Sequence, residues 1–402
     1  MIEREVYAKL VKLYAEKDIL ALIGARRVGK TTLMEQLYET EQQSKLFLTF
    51  DDQDILNLFE TDIKAFANIY VTKHKALFID EFQYAKNGGK ALKYLYDTYG
   101  IKIVISGSSA AELTIQSLSY LVGRVFIVEI YPLNFREFIR YKNNSLLPVL
   151  ENPTKLTLPL IQPLFGEYLA FGGFPQVVLA ESTELKTERL RQIVNTYLLK
   201  EIRDILQYKD SLLFERLMQA IALLEGSMIN KSKLSSLLDV SIHKVTEILD
   251  ILEKTFIITR IQPYANTKIK ELLKTPKMYF TDSGFRNVLL KNFTPVTNRT
   301  DKGVIYEQFI LLALKTVTEK VQFYNYKNSS EVDFLVENTA IEVKSHLTGP
   351  KIEKSMYAVM DKIRIDKIYI FNDNIIAQTN IQNTPVTITH HIAAYNLIDN
   401  KL

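Results

Sequence analysis

After the apolar run Ile19 to Ile23 the chain reads Gly24-Ala25-Arg26-Arg27-Val28-Gly29-Lys30-Thr31-Thr32 and passes at once into the helix-forming segment TLMEQLYE. A strand, two glycines at this spacing and a Lys-Thr pair opening a helix form a phosphate loop. The glycines let consecutive N–H groups turn towards a polyphosphate, and the helix amino terminus adds favourable potential. Lys30 is placed to neutralise the β- and γ-phosphates of ATP and Thr31 to ligate Mg²⁺. Gly24, Ala25, Arg26, Arg27, Val28, Gly29 and Thr32 complete the cradle. The motif works only where a strand feeds a helix, so it commits this end of the chain to an α/β fold.

The flanking sequence agrees. DILALIG, KLFLTFDD, KALFIDE, IKIVISG and RVFIVEIYP are β-rich apolar runs separated by helix-like segments, which predicts a parallel five-stranded sheet with helices on both faces. Ala76-Leu77-Phe78-Ile79-Asp80-Glu81 ends in two carboxylates. Asp80 suits the Mg²⁺ shell, and Glu81 suits a group that polarises water for attack on the γ-phosphate, a pair that separates a hydrolase from a mere nucleotide binder. One strand later IKIVIS runs into Gly107-Ser108-Ser109, where the Ser108 hydroxyl could sense the γ-phosphate; a serine-rich turn is the other reading.

Composition narrows the remaining options. The chain has 402 residues, enough for two or three domains. Lys plus Arg is 50 against 46 for Asp plus Glu, a net +4 too small to demand a nucleic-acid or membrane partner, so any basic surface must be local. There is no cysteine, which excludes disulfides, thiolate metal sites and a cysteine nucleophile. The opening MIEREVYAKLVKLYAEKD lacks a signal-peptide profile, and nowhere do about 18 apolar residues run uninterrupted. The sequence therefore predicts a cytoplasmic protein without a membrane partner.

Beyond Phe135 the pattern turns to helices with irregular joints, including the turn-forming FGGFPQ at 171–176, which reads as a helical lid. Residues 211–264 then show three apolar-periodic helices with an abrupt turn at Asp239-Val240-Ser241, followed by the β-rich runs FIITRI and KMYFTD. This is the pattern of a winged helix. In the third helix Ile242, Val245, Ile248, Leu249 and Leu252 form the expected buried stripe, leaving Ser241, His243, Lys244 and Glu247 outward. From Lys254 to Lys277 six basic residues (Lys254, Arg260, Lys268, Lys270, Lys274, Lys277) face one acidic residue, Glu271, with Tyr264 and Asn266 among them. Such a stretch suits phosphate contacts with DNA, and equally a solvated wing that docks a protein partner.

At the carboxyl end, Glu331-Val332-Asp333 opens one strand-like run and Ile341-Glu342-Val343-Lys344 lies in the next. Residues two apart on a strand share a face, so Glu342 and Lys344 point into one site. Asp333 and Glu342 could bind a second Mg²⁺ or Mn²⁺ through hard oxygens while Lys344 positions water or stabilises the pentavalent phosphate.

GARRVGKTTL, LFIDEFQYA, ISGSSA, LVGRVF and YPLNFREF, and further on FGGFP, YLLKEIRDI, KMYFTDSGFRN, GVIYEQF and EVDFLV…IEVKS, resemble prokaryotic AAA-type ATPases that carry a carboxyl-terminal DUF4143-type domain, relatives of the archaeal ATPase and STAND groups. The resemblance implies an additional-strand P-loop NTPase core, a winged-helix middle and a restriction-endonuclease-like end of the PD-(D/E)xK kind. It also implies that Glu307, in GVIYEQF, is the helical acidic member of the metal set. A basic residue after the fourth strand would complete the ATP site, in cis or from a neighbouring subunit, and Arg124 matches; an ordinary surface arginine is the alternative. The expected division is residues 1–140 for the ATPase core, 141–208 for the lid, 209–275 for the winged helix and 276–402 for the nuclease-like domain. Two functions follow as expectations. One is a Mg²⁺-dependent ATPase acting on DNA, as a homo-oligomer or not. The other is a nucleotide-gated switch of the STAND kind with a protein partner and an inactive nuclease-like scaffold.

Overall fold

Strands β1 (Ile19–Gly24), β2 (Lys45–Thr49), β3 (Ala76–Asp80), β4 (Lys102–Ser108) and β5 (Val125–Glu129) form one sheet in the order β2-β3-β4-β1-β5, every pair parallel. The structure, a computed structural model, describes residues 2–86, 88–108, 120–196, 211–265, 267–326, 330–350 and 352–395. Ser109, Asn266 and the YLLKEIRDI segment lie outside them.

The central strands are apolar on both faces because both are covered. Leu20, Leu22, Phe78 and Val104 pack with Leu33, Met34 and Leu37 of the helix Lys30–Thr40. Ile19, Ala21, Leu77, Ile79, Ile103 and Ile105 pack on the opposite face with Leu92 and Leu95 of the helix Gly88–Tyr99. With β4 between β3 and β1, the carboxylates that end β3 and the loop that follows β1 open at the same edge of the sheet.

The lid is not free-standing. A capping box between Asn134 and Glu137 opens the helix Phe135–Asn143. Its Phe135 and Phe138 share one core with Phe165 and Tyr168 of the helix Leu158–Phe171 and with Phe309 and Tyr395 from the far end of the chain. The Phe135 N–H donates to the Tyr395 hydroxyl at 3.0 Å, spanning 260 positions.

The helices Ser211–Leu223, Lys231–Leu238 and Ile242–Lys254 follow. Asp239 ends the second in a left-handed conformation, and Ser241 caps the third by accepting from the Lys244 N–H at 3.1 Å. Val245, Ile248, Leu249 and Leu252 are buried as the periodicity requires, but Ile242 is 48% exposed, because the first helical turn projects beyond the packed face. Strands β6 (Ile258–Pro263) and β7 (Lys277–Phe280) then pair antiparallel.

The end of β6 also pairs, in parallel, with β8 (Gln322–Tyr326). The wing strands thereby join β9 (Ser330–Val336), β10 (Thr339–Val343), β11 (Lys367–Asn372), β12 (Ala377–Ile381) and β13 (Thr384–His390) in one mixed sheet, ordered β12-β13-β11-β10-β9-β8-β6-β7. A boundary at 275/276 would therefore pass between two strands of a single sheet.

The FGGFP turn and the TDSGF turn are locked together. Gly172 has φ 73°, and a Cβ there would stand 2.2 Å from Asp282 Oδ1; one on Gly284 would meet the Phe171 carbonyl oxygen at 2.1 Å. Asp282 accepts from the Gly173 N–H at 2.7 Å and the Phe285 N–H at 2.9 Å. Burial pushes the Asp282 carboxyl up to about 6, against those N–H groups that pull it down. The folded-state value is raised, so the cost of the buried charge is present in full above that pH and disappears as pH falls into the ordinary carboxylate range. Between about pH 6 and pH 4 this group is expected to contribute up to about 3 kcal/mol of added stability, at about 1.4 kcal/mol per pH unit. Denaturant unfolding of wild type and Asp282→Asn across that window checks it; parallel curves would refute it.

Candidate functional site

The phosphate loop leaves β1 at Gly24 and enters its helix at Lys30. Ala25 and Val28 are buried and anchor the loop in the core, whereas Thr32 is exposed on the helix. Lys30 is 7% exposed, and its ammonium donates to the carbonyls of Gly24 and Ala25, each at 2.9 Å. Burial pulls its pKa down to about 8, opposed by Glu81 and Asp80. Arg26 donates to the Tyr84 hydroxyl at 3.2 Å, and Arg27 to Gln176 Oε1 at 3.4 Å.

Thr31 Oγ1 donates to Asp80 Oδ2 at 2.8 Å, and Ser106 donates to the other oxygen of the same carboxylate. A threonine hydroxyl and a carboxylate already in contact, with few other protein ligands, fit Mg²⁺, which keeps most of its shell for water and phosphate oxygens. Such an ion would neutralise charge on a bound triphosphate. Glu81 follows β3 at φ 55° and accepts from the Gln83 amide, whose Oε1 in turn accepts from the Ser108 N–H at 3.0 Å. Ser108 pairs in register with Gly24, is 1% exposed, and its Oγ has no hydrogen-bond partner.

Sequence reasoning missed two members of this network. Ser106 lies two positions before Ser108, so the period of the strand puts both on one face. Gln83 sits two residues after Glu81, but only the turn that follows β3 brings it back under that side chain.

Arg124 is not part of the site within this chain. It precedes β5, whose Val125 pairs with Ile19 at the start of β1, while the phosphate loop follows Gly24 at the end. Five residues at about 3.3 Å each separate the two by roughly 16 Å. Arg124 instead pairs with Asp97 at 2.9 Å on the surface. Spacing along the chain does not reveal which end of a strand a flanking residue occupies, so the sequence could not place Arg124 relative to the phosphate loop of its own chain.

The second constellation gathers where the helix Lys302–Lys315, β9 and β10 meet. Asp333 Oδ2 accepts from the Val343 N–H at 2.7 Å. Lys344 pairs with Glu342 at 2.6 Å and with Glu353 at 3.0 Å. Glu307 Oε2 accepts from the Tyr279 hydroxyl at 3.0 Å. Burial raises the carboxyls of Glu307, Asp333 and Glu342, with Glu307 reaching about 8, and the charge of Asp333 adds to the rise at both glutamates. Lys344 is raised: burial opposes this, and the neighbouring Glu342 carboxylate outweighs it.

Among the described residues no three His, Asp or Glu side chains assemble as a set that could hold a metal ion. Asp333 and Glu342 do offer hard oxygens, and Glu342 Oε2 is buried without a hydrogen-bond partner. That pair fits a divalent cation in kind. Of the basic stretch, Arg260 is engaged by Glu253 and by Asp250 at 2.8 Å, and Lys277 is buried against Glu331. These two charges are spent inside the protein.

An all-parallel sheet with this strand order, carrying the phosphate loop on β1 and a paired carboxylate end on β3, is the fold of the AAA-type P-loop ATPases. The model of the AAA domain family AAA_14 matches residues 16–139, and that of a domain of unknown function, DUF8612, matches residues 162–296. An uncharacterized protein of Haemophilus influenzae is 30% identical over 331 residues, covering 76% of this chain and 78% of that one, and the chain belongs to its family. The uncharacterized protein MJ1544 of Methanocaldococcus jannaschii is 27% identical over 93% of this chain and 86% of its own. Among solved structures, the Walker-type ATPase PABY2304 of Pyrococcus abyssi is similar at 16% identity and a TM-score of 0.46, over 72% of this chain and 96% of that one. Among the described residues no helix is long and apolar enough to cross a membrane.

Proposed function

We propose that the protein is a Mg²⁺-dependent ATPase whose nucleotide state is relayed to a DNA-acting, nuclease-like carboxyl-terminal domain. Residues 1–140 hydrolyse ATP, 141–208 are the lid, 209–275 the winged helix and 276–402 the nuclease-like domain, with the wing strands built into the sheet of the latter. The observation that carries the coupling is the 172–176 loop. On one side Pro175 Cγ lies 3.9 Å from where a Cβ on Gly29 would stand, and Gln176 accepts from Arg27; on the other, the Gly173 N–H donates to Asp282 at the end of β7. A phosphate loop that shifts on binding or losing the γ-phosphate therefore pushes on the strand that borders the second site.

In this reading Lys30, Thr31, Asp80 and Glu81 carry the ATP chemistry, and Ser108, buried and unpartnered, senses the γ-phosphate. Asp333 and Glu342 hold a divalent ion that polarises a phosphodiester, Glu307 borders them, and Lys344 positions the water. The exposed residues at the start of the third helix, Ser241 and His243, face the groove of DNA.

The switch reading, with an inactive scaffold and a protein partner, is favoured by the closed pairing of Lys344 with both Glu342 and Glu353. One experiment separates the two. Steady-state ATPase of the wild type is measured with and without duplex and single-stranded DNA, and the same tubes are sampled for strand breaks. DNA-stimulated turnover with nicking that disappears in Lys344→Ala is the expected result. ATP turnover indifferent to DNA, with the DNA intact, would give the switch reading the field.

A further inference from the structure

The acidic constellation already contains a cation. Lys277, on β7, is 5% exposed, and its ammonium contacts Glu331 while lying in the field of Glu307 and Asp333. Two positions on, and so on the same face of the strand, the Tyr279 hydroxyl donates to Glu307 Oε2 at 3.0 Å. Four carboxylates, Glu307, Glu331, Asp333 and Glu342, thus share two ammonium groups, Lys277 and Lys344. Neither Lys277 nor Tyr279 belongs to the acidic–lysine pattern of the carboxyl-terminal hairpin. Both come from the wing strand β7, which pairs with β6 on one side and on the other is met by the 226–229 segment, through a bridge between Met228 and Lys277 and a hydrogen bond from the Gly226 N–H to the Met278 carbonyl at 2.8 Å.

A buried ammonium among carboxylates supplies the neutralising charge that a divalent ion would otherwise supply, and the two compete for the same oxygens by simple Coulomb attraction. On the other side Glu342 pairs with Lys344 through Oε1, while among the described residues its buried Oε2 has no hydrogen-bond partner and lines a small cavity with Lys344, Glu353 and Ser355, whose hydroxyl is buried and unpartnered too. The site therefore keeps one open carboxylate oxygen for a further cation, while Glu307 and Glu331 are engaged by side chains of β7.

We infer that Lys277 is a built-in cation that keeps the acidic site closed to divalent metal, and that metal loads only when β7 withdraws it. The inference rests on the proposed reading of Asp333 and Glu342 as the metal pair and adds its regulation. The route for withdrawal is short. Five residues after Lys277 comes Asp282, whose carboxylate is held by the N–H of Gly173 in the loop that touches the phosphate loop. Tension on that loop reaches Lys277 through β7 and the two residues, Thr281 and Asp282, that follow it.

The test is Mn²⁺ binding to the full-length, nucleotide-free protein, followed by calorimetry and by the loss of the free Mn²⁺ resonance signal. Wild type should bind Mn²⁺ weakly. Lys277→Met and Lys277→Gln, which remove the charge and keep most of the stem, should each bind one Mn²⁺ at least about tenfold more tightly, by about 1.4 kcal/mol. Glu342→Gln added to either should abolish the gain, and Lys277→Arg, which keeps a cation in place, should stay close to wild type. Equal Mn²⁺ affinity in wild type and the charge-removing variants overturns the inference. So does tight Mn²⁺ binding by the wild type itself that is lost in Glu342→Gln, an outcome independent of whether the Lys277 variants fold. If Lys277→Met gains Mn²⁺ but leaves DNA intact, the closure stands and the cleavage reading falls.

Discussion

Glu81→Gln is expected to lower ATP turnover by about 10²- to 10⁴-fold while leaving ATP binding close to wild type. The glutamate ends β3 beside Asp80, and its backbone is held at φ 55°. The Gln83 amide fixes one carboxylate oxygen, and Gln83 is in turn fixed by the Ser108 N–H, so the side chain is aimed before nucleotide arrives. Glutamine keeps the size and the hydrogen-bonding capacity but cannot take a proton from water. The expected signature is a split: phosphate release collapses, and the Kd for a fluorescent ATP analogue stays within about threefold. Lys30→Ala should do the reverse and lose binding itself. A Glu81→Gln variant that turns over ATP within tenfold of wild type would remove Glu81 from the chemistry.

The largest loss of stability is expected from Arg286→Met, at about 3–5 kcal/mol. Arg286 is buried, with Nε 2.5 Å from Glu225 and Nη1 2.8 Å from Asp301. Arg299 closes the network onto Asp301, and through Asn287 onto the carbonyls of Leu169 and Ala170. Glu225 also accepts from the Phe280 N–H at 2.7 Å, so the charges tie the turn after the helix Ser211–Leu223, the lid and β7 together. Removing the guanidinium leaves a buried carboxylate that burial pushes up to about 7 even against the pull of Arg286. Urea unfolding measures the cost. The double replacement Arg286→Met with Glu225→Leu should recover most of it, because neither charge is then stranded. A single-variant loss below about 1 kcal/mol would show that the network is not closed in solution.

The phosphate loop and the five parallel strands were legible in the sequence because each is local: eight residues define the loop, and continuous apolar runs define strands covered on both faces. The pair Glu342 and Lys344 was legible for the same reason, through the two-residue period of a strand. Long-range choices were not. Nothing local in FIITRI or KMYFTD announces that they extend the sheet that holds Asp333 and Glu342. Lys277 counted as one more positive charge in a basic stretch, although its neighbours in space are Glu331 and Glu307 from 30 or more positions away. The end of the sheet at which Arg124 lies was not legible either, because β5 pairs with β1 from its first residue, a matter of register that flanking motifs do not carry. Ser106 was within reach, since the period that selects Ser108 selects it as well.

The hydrogen bond between Phe135 and Tyr395 has a bearing on how the protein is made. Synthesis proceeds from the amino terminus, and Phe135, Phe138, Phe165 and Tyr168 leave the ribosome long before the chain reaches Phe309 and Tyr395, which finish their core. During that interval a cluster of aromatic rings has no cover of its own, while the nucleotide-binding sheet, complete by Glu129, can already form. The newborn chain thus completes its nucleotide-binding sheet while the aromatic core that joins its two ends is still open.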